Sequence, residues 1–282
     1  MKKDNYFEGY YFKHQSKDMN ISFIPSIHID DSNKFAMIQV IANNIVEEFV
    51  FKHEDFSIKN DVIKIADNTF SKYGIKVNLK NDKMSIFGNL TYKSLVKLDG
   101  NIMGCFKYAI GMECNHGIVS VYHTIEGILT INSTRYNFYN ALGFIEKDWG
   151  TSFPSTYLWT QCLKEDFSIM ISAAKIPYMK MKFMGTICFV YMNKKQYRLA
   201  TYKGCKIIKY TSNEIELKQG KYTLTAKLLK ENPQVLKGPN EGKMNRTIKE
   251  SICCEVEYTF TKENKTLFSF TSNQASFEYF SE

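Results

Sequence analysis

None of the 282 residues form a motif that announces a familiar catalytic engine. There is no Gly-x-Ser-x-Gly nucleophile elbow, Walker-type glycine loop, dinucleotide fingerprint or His-Glu-x-x-His pair. Metal catalysis and nucleotide hydrolysis are therefore unsupported, and no cofactor and no metal is expected. The five histidines (His14, His28, His53, His116, His123) are dispersed, with no ligand pairing at helical spacing. No Cys-x-x-Cys pair occurs among the seven cysteines, which excludes a zinc knuckle and a thioredoxin-type motif. An odd, irregularly spaced set of thiols reads as free and buried in a reducing cytoplasm. Cys253 and Cys254 are adjacent, so a strand would send them to opposite faces. No apolar run approaches the roughly 20 residues of a membrane-spanning helix. The first residues, Met1 to Glu8, lack the apolar stretch of a signal peptide, and the expected location is the cytoplasm. Long amphipathic helices are missing too, apart from ambiguous material at Asp61–Tyr73. With no recognition helix and no RNP-type motif, nucleic acid is not expected as a partner.

What the chain does have is aromatic side chains. Phe, Tyr and Trp make up 15% of it, with 18 Tyr and 21 Phe, which favours extended structure and wide apolar cavities. Short apolar or alternating runs recur with turn residues between them. In the first half these are Phe35–Ile41, Ile45–Phe51, Met84–Leu90, Ile118–Ile125, Ile128–Ile131 and Tyr136–Phe144. The second half continues with Phe167–Ala173, Thr186–Tyr191, Tyr197–Tyr202, Ile207–Tyr210, Tyr222–Leu229, Cys254–Phe260 and Leu267–Phe270. Leu98–Asn101 and Cys114–Gly117 read as hairpin loops, and Asn232–Gly242 as the longest flexible stretch. So many strands exceed one small barrel. The expected fold is all-β: two tandem antiparallel barrel or sandwich domains with few helices, residues 1–150 and 151–282, joined near Trp149–Pro154.

Charge is unevenly spread. Between Lys182 and Glu250 fifteen Lys/Arg stand against five Asp/Glu, within a chain of net charge +8. A basic second half suits peripheral contact with an anionic membrane; a solvated lysine-rich face is the plainer alternative.

Both tryptophans, Trp149 and Trp159, lie in one stretch, residues 146–162, beside Glu146, Asp148 and Gln161. Trp is costly to bury because its indole N–H needs a partner, so the stretch reads as a site or as an anchor at a domain seam. Near the start, Glu8 sits among Tyr6, Phe7, Tyr10 and Tyr11. Strand alternation puts it on a face with rings, where desolvation would raise its pKa toward general-acid values. The alternative is a Glu8 tied to an arginine or a backbone amide. Arg246 and Glu250, four apart, read as a structural ion pair.

Six segments, in order, resemble the tocopherol cyclase family: Tyr-Phe-Glu-Gly-Tyr-Tyr-Phe-Lys, Phe-Ile-Pro-Ser-Ile, Phe-Ala-Met-Ile-Gln-Val, Glu-Lys-Asp-Trp-Gly-Thr-Ser-Phe-Pro, Leu-Trp-Thr-Gln-Cys and Met-Asn-Arg-Thr-Ile-Lys-Glu-Ser. The similarity runs from Tyr6 to about Glu278. Tyr10 departs from the family's usual Trp, and Leu163 from the expected Asn. The resemblance implies two lipocalin-like β domains related to carotenoid hydratases. It also implies, for plant and cyanobacterial members, closure of a chromanol ring on a prenylated quinol.

That chemistry needs an acid to protonate an isolated alkene, rings to steady the tertiary cation, and a polar contact for the quinol head. Asp148 and Glu146 are the candidate catalytic acids; Glu8, Tyr10, Trp149, Trp159 and Gln161 are the candidate substrate-binding residues. In an extended segment Glu146 and Asp148 share a face and Trp149 points the other way, unless the turn at Gly150 folds it back. Asp148 also fits a loop-capping role, and Trp159 and Gln161 a paired core contact. The expected partner is a hydrophobic small molecule, a prenyl lipid, held as substrate or ligand; the oligomeric state is left open. Three functions stay in view: a cofactor-independent cyclase, a hydratase of an isoprenoid double bond, and a non-catalytic carrier.

Overall fold

The computed structural model describes residues 5–43, 45–109, 111–178, 181–263 and 265–282. The signal-peptide reading rests partly on Met1–Asp4, which lie outside the described residues. Among the described residues the fold is all-β and antiparallel, and the helical turns are short 3-10 segments at His53–Asp55, Gly104–Tyr108 and Thr201–Lys203. No described helix is long and apolar enough to cross a membrane.

The first sheet contains β1 (Tyr6–Gln15), β2 (Asn20–Ile29), β3 (Lys34–Ala42), β4 (Ile45–Lys52), β5 (Phe56–Lys59) and β6 (Val62–Ile65). It continues with β7 (Asn68–Ser71), β8 (Gly74–Lys80), β9 (Ser85–Val96), β10 (Cys114–Ile131), β11 (Thr134–Asn137) and β12 (Ala141–Gly150). Its order is β4-β3-β2-β1-β12-β10-β9-β8-β7-β6-β5, with β11 on β10. The second sheet contains β13 (Thr156–Lys164), β14 (Phe167–Tyr178), β15 (Met181–Met192), β16 (Lys195–Ala200) and β17 (Lys206–Tyr210). It ends with β18 (Glu214–Gln219), β19 (Tyr222–Lys230), β20 (Gln234–Asn240), β21 (Lys243–Lys262) and β22 (Lys265–Ser281). Its order is β16-β15-β14-β13-β22-β21-β19-β18-β17, with β20 on β21.

The chain separates into two compact units. One comprises Met1–Leu98, His116–Phe153 and Leu236–Thr247; the other Asp99–Asn115, Pro154–Val235 and Ile248–Glu282. Where the sequence suggests a single cut at 150/151, each unit thus also takes in a segment from the far side of that cut. Leu236–Thr247 is fastened to the first unit by backbone and side-chain bonds. Gln39 Nε2 donates to the Lys237 carbonyl at 3.1 Å, and the Lys237 amide donates back to Gln39 Oε1 at 3.2 Å. Lys237 Nζ also reaches Glu48 at 2.7 Å.

Two kinds of strand build the first unit. In β8, Ile75, Val77 and Leu79 turn inward while Lys76, Asn78 and Lys80 face out, the alternation of a half-buried strand. β1, β2 and β3 are covered on both faces. Their inner face feeds a core with Phe12, Phe23, Ile38, Val40, Phe70 and Ile145. The second unit has its own core around Leu158, Ile171, Val190, Leu217, Tyr258 and Phe277.

Several sequence expectations need correction. Asp61–Tyr73 is no helix but the β6–β7 hairpin and its flanks; Asn60 and Asp61 adopt positive φ in the preceding turn. Asn232–Gly242 is mostly β20, paired to β21. Leu98–Asn101 joins β9 to a 3-10 turn rather than closing a hairpin. Cys114–Gly117 is the start of β10, not a loop. The thiols are free, but Cys105 is exposed, so they are not uniformly buried.

Candidate functional site

Two sets of side chains alternate along β12. In its register with β1, Glu8 pairs with Trp149, Gly9 with Asp148, Tyr10 with Lys147 and Tyr11 with Glu146. Paired residues share a face of the sheet. Phe12 and Ile145 belong to the first unit's core and Tyr10 packs on it. Glu8, Tyr10, Lys147 and Trp149 therefore point to that inner side, whereas Gly9, Tyr11, Glu146 and Asp148 occupy the opposite face. Gly150 is still within the strand, so Trp149 is not folded back toward Asp148.

On the opposite face, β10 brings in a residue the sequence reading passed over. His116 Nδ1 lies 2.7 Å from Asp148 Oδ1, and His116 Nε2 lies 3.3 Å from Glu146 Oε2. Glu146 is 5% exposed and His116 8%; Asp148, at 24% for its side chain, is the most open of the three. Burial disfavours a charged imidazole, but the carboxylates of Asp148 and Glu146 outweigh it and push the His116 pKa up to about 10. At neutral pH the set is an imidazolium between two acids. Asp148 thus bonds a side chain on a neighbouring strand from within β12. The three donor groups lie within 4.8 Å of one another, a grouping compact enough for a cation. Here the imidazolium supplies the positive charge, one ring nitrogen toward each carboxylate. Asn115, His116 and Gly117 look like turn residues in isolation; this bonding and the close packing of Gly117 on Trp149 keep them extended. A Cβ at Gly117 would sit 3.2 Å from Trp149 Cζ3.

The inner face holds a different cluster. Lys147 Nζ is 2.7 Å from Glu8 Oε1 and stands over the rings of Tyr10 (4.9 Å) and Trp149 (5.0 Å). Tyr6 donates to Glu8 Oε2 at 2.6 Å and Tyr10 to Glu8 Oε1 at 3.2 Å. Burial does push the Glu8 carboxyl up, as the sequence suggests. The Lys147 ammonium and the two tyrosine hydroxyls prevail, however, and hold it below the usual glutamate range. Glu8 is an ionised partner of Lys147, not a raised-pKa acid.

Deeper in the same unit lies a neutral relay that sequence spacing does not reveal. His14 Nε2 is 2.6 Å from the Tyr92 hydroxyl and its Nδ1 3.2 Å from the Ile21 carbonyl. The Tyr92 ring lies tilted against His123, ring centroids 4.3 Å apart, and His123 Nδ1 bonds Ser120 Oγ at 2.9 Å. Burial presses the His14 pKa down to about 3 and that of His123 well below its usual value. These imidazoles are uncharged.

Trp159 and Gln161 are elsewhere, on β13 in the second unit. Leu158 and Cys162 face that unit's core, so Trp159 and Gln161 occupy the other face. There Trp159 pairs with Glu278, which accepts a hydrogen bond from Tyr157, and Gln161 pairs with Ser276. Arg246 donates to the Phe153 carbonyl at 2.7 Å, a role its spacing to Glu250 does not suggest.

The sequence pattern of the tocopherol cyclase-like family matches residues 107–279, more than half the chain. The protein belongs to the tocopherol cyclase-like family. The matched span includes His116, Glu146 and Asp148; Glu8 and Gly9 fall before it. No curated protein matches the chain. Among solved structures, CghA with Sch210972 is similar with a TM-score of 0.62 at 10% identity, over 99% of this chain and 89% of that one. A protein described as AttH, from Nitrosomonas europaea, has a TM-score of 0.57 at 9% identity, over 97% and 92%. Kievitone hydratase from Nectria haematococca has 0.54 at 11% identity, over 98% and 89%. At such identities the likeness is one of fold, and it fits two lipocalin-like units.

Proposed function

We propose that this family member performs proton-driven chemistry at an isoprenoid double bond, with ring closure of a prenylated quinol as the reaction that suits it best. The observation that carries the reading is the buried His116 imidazole held between Asp148 and Glu146. With water reaching its most open member, Asp148, this set stays an ion cluster. When an apolar substrate displaces the remaining water, charge separation becomes costly, and moving the imidazolium proton onto a carboxylate lowers the cost. Asp148, the most open of the three, is the acid that meets substrate. Its proton goes to the less substituted alkene carbon, leaving a tertiary cation. The phenol oxygen forms the new C–O bond and releases its proton to the site, so the product is an isomer of the substrate. Nothing is oxidised or reduced. Glu8, Tyr10 and Trp149 lie on the other face of the sheet, where they surround Lys147.

The basic run between Lys182 and Glu250 supports a further element of the reading, peripheral contact with an anionic membrane in which a prenyl lipid would reside.

The test is incubation of the purified chain with a prenylated hydroquinone and mass analysis of the products. Asp148→Asn should lower conversion by about two orders of magnitude or more, the usual range for a general acid. His116→Gln should lower it comparably. An unchanged rate in both variants would sink the acid assignment. A product heavier by one water would mean that solvent captures the cation, making the protein a hydratase. Tight binding with no conversion would mean a carrier.

A further inference from the structure

The face that carries Asp148 has a gap in it. In one transverse row across three strands, Asp148 of β12 pairs with Gly9 of β1, and Gly9 pairs with Ser26 of β2. Adjacent strands are about 4.8 Å apart, so Asp148 and Ser26 flank a space roughly 9–10 Å wide with no side chain between them. Along β1 the neighbours on this face are Phe7 and Tyr11, some 13–14 Å apart by strand rise. Both are buried, as is Ser26.

Glycine is an odd choice for such a position. In a strand interior it costs backbone entropy and forgoes packing, about 0.5–1 kcal/mol relative to alanine. Gly9 does not need the left-handed backbone that would justify it. Nor does another backbone press on it: of the described residues, only Ser26 comes within 4 Å of a Cβ built there, its own Cβ at 3.4 Å, an ordinary contact. A methyl at Gly9 would thus have room on this buried face, and an acid stands beside it in the same row. A strand glycine of that kind marks close approach by a ligand.

We infer that the reacting double bond of the substrate lies over Gly9, beside Asp148 and between the Phe7 and Tyr11 rings, and that Gly9 sets the size of group the site admits. The inference rests on the reading of Asp148 as the acid. The alkene approaches the carboxyl edge-on because the floor is bare backbone. The two rings bracket the position where positive charge develops and stabilise it through their quadrupoles. A side chain at position 9 would lift the alkene off that floor and out of reach of Asp148.

The experiment measures calorimetric Kd for two soluble probes, 2-prenylhydroquinone and 2-allylhydroquinone, with the full chain and with Gly9→Ala and Gly9→Val. The probes share a head group and differ in bulk at the alkene. One added methyl in a fitted pocket changes affinity by about tenfold or more. Gly9→Ala should therefore weaken the prenyl probe about tenfold and the allyl probe much less, and Gly9→Val should remove prenyl binding. The thermal midpoint of Gly9→Ala should hold or rise, because the added Cβ meets only an ordinary contact. If Gly9→Val does not fold, Gly9→Ala alone decides. Equal losses for both probes, no loss for either, or failure of the unaltered chain to bind the prenyl probe would overturn the inference. Failure of the acid reading looks different: size-selective binding would persist while Asp148→Asn converted the prenyl probe as fast as the unaltered chain.

Discussion

Raising the pH from 6.5 toward 10 should cost this protein stability that a double variant, Asp148→Asn with Glu146→Gln, never had. In the unfolded chain His116 loses its proton near its ordinary value of 6.5; in the folded chain the flanking carboxylates hold that proton up to about 10. Between these limits the folded state binds one proton more than the unfolded state, so unfolding becomes easier as pH rises. The stabilisation is fully present below 6.5 and is lost as pH climbs through the folded value. Each pH unit is worth about 1.4 kcal/mol, which over this window sets an upper limit of about 5 kcal/mol. The two-amide variant keeps the burial but loses the counter-charges, so its imidazole is neutral in both states above 6.5. Tyrosines, lysines and thiols are common to both chains and cancel in the difference. The assay is urea unfolding at half-unit steps from pH 6 to 10, followed by far-UV circular dichroism. The stability difference between the chains should fall steadily with pH, by several kcal/mol in all. A difference flat to within about 1 kcal/mol would refute the account of His116 as a trapped imidazolium.

Other perturbations test the surrounding structure. Tyr92→Phe removes the donor to His14 Nε2 and leaves a buried acceptor unpaired, so urea unfolding should show a loss of about 1–3 kcal/mol. Gly143→Ala would place a methyl 2.1 Å from His123 Nε2, on a ring with no exposed surface; calorimetric melting should report a destabilisation of about 1–3 kcal/mol or more. Glu8→Gln strips Lys147 of its counter-ion at a partly open position and should cost about 1 kcal/mol at pH 7. Because the folded Glu8 pKa is depressed, that cost should shrink as pH falls from the ordinary glutamate range through the folded value; a cost independent of pH would mean that packing, not charge, holds Glu8.

Strand content and the all-β class were legible because β-branched and aromatic runs punctuated by Asn, Asp and Gly need only local chemistry to be read. The pairing of Glu146 with Asp148 on one face was legible for the same reason, since alternation is a property of a single strand. The first three strands were harder: β1 to β3 are covered on both sides, so Ser22, Ser26, His28 and Gln39 are buried where a half-exposed strand would show solvent. His116 was misplaced in a loop because Asn-His-Gly is turn-like by itself.

The sequence by itself determined the extended segments, the two acids on one face of β12, and the family, all of which depend on residue type and near-neighbour spacing. Only the tertiary structure decided that His116, thirty residues upstream, stands between those acids. It alone decided that Lys147 turns Glu8 into a counter-ion, that Trp149 and Trp159 belong to different units, and that Gly9 is the residue paired with Asp148. The physical reason is that charge state and free space are set by what arrives from neighbouring strands, and strand order is not written in local spacing.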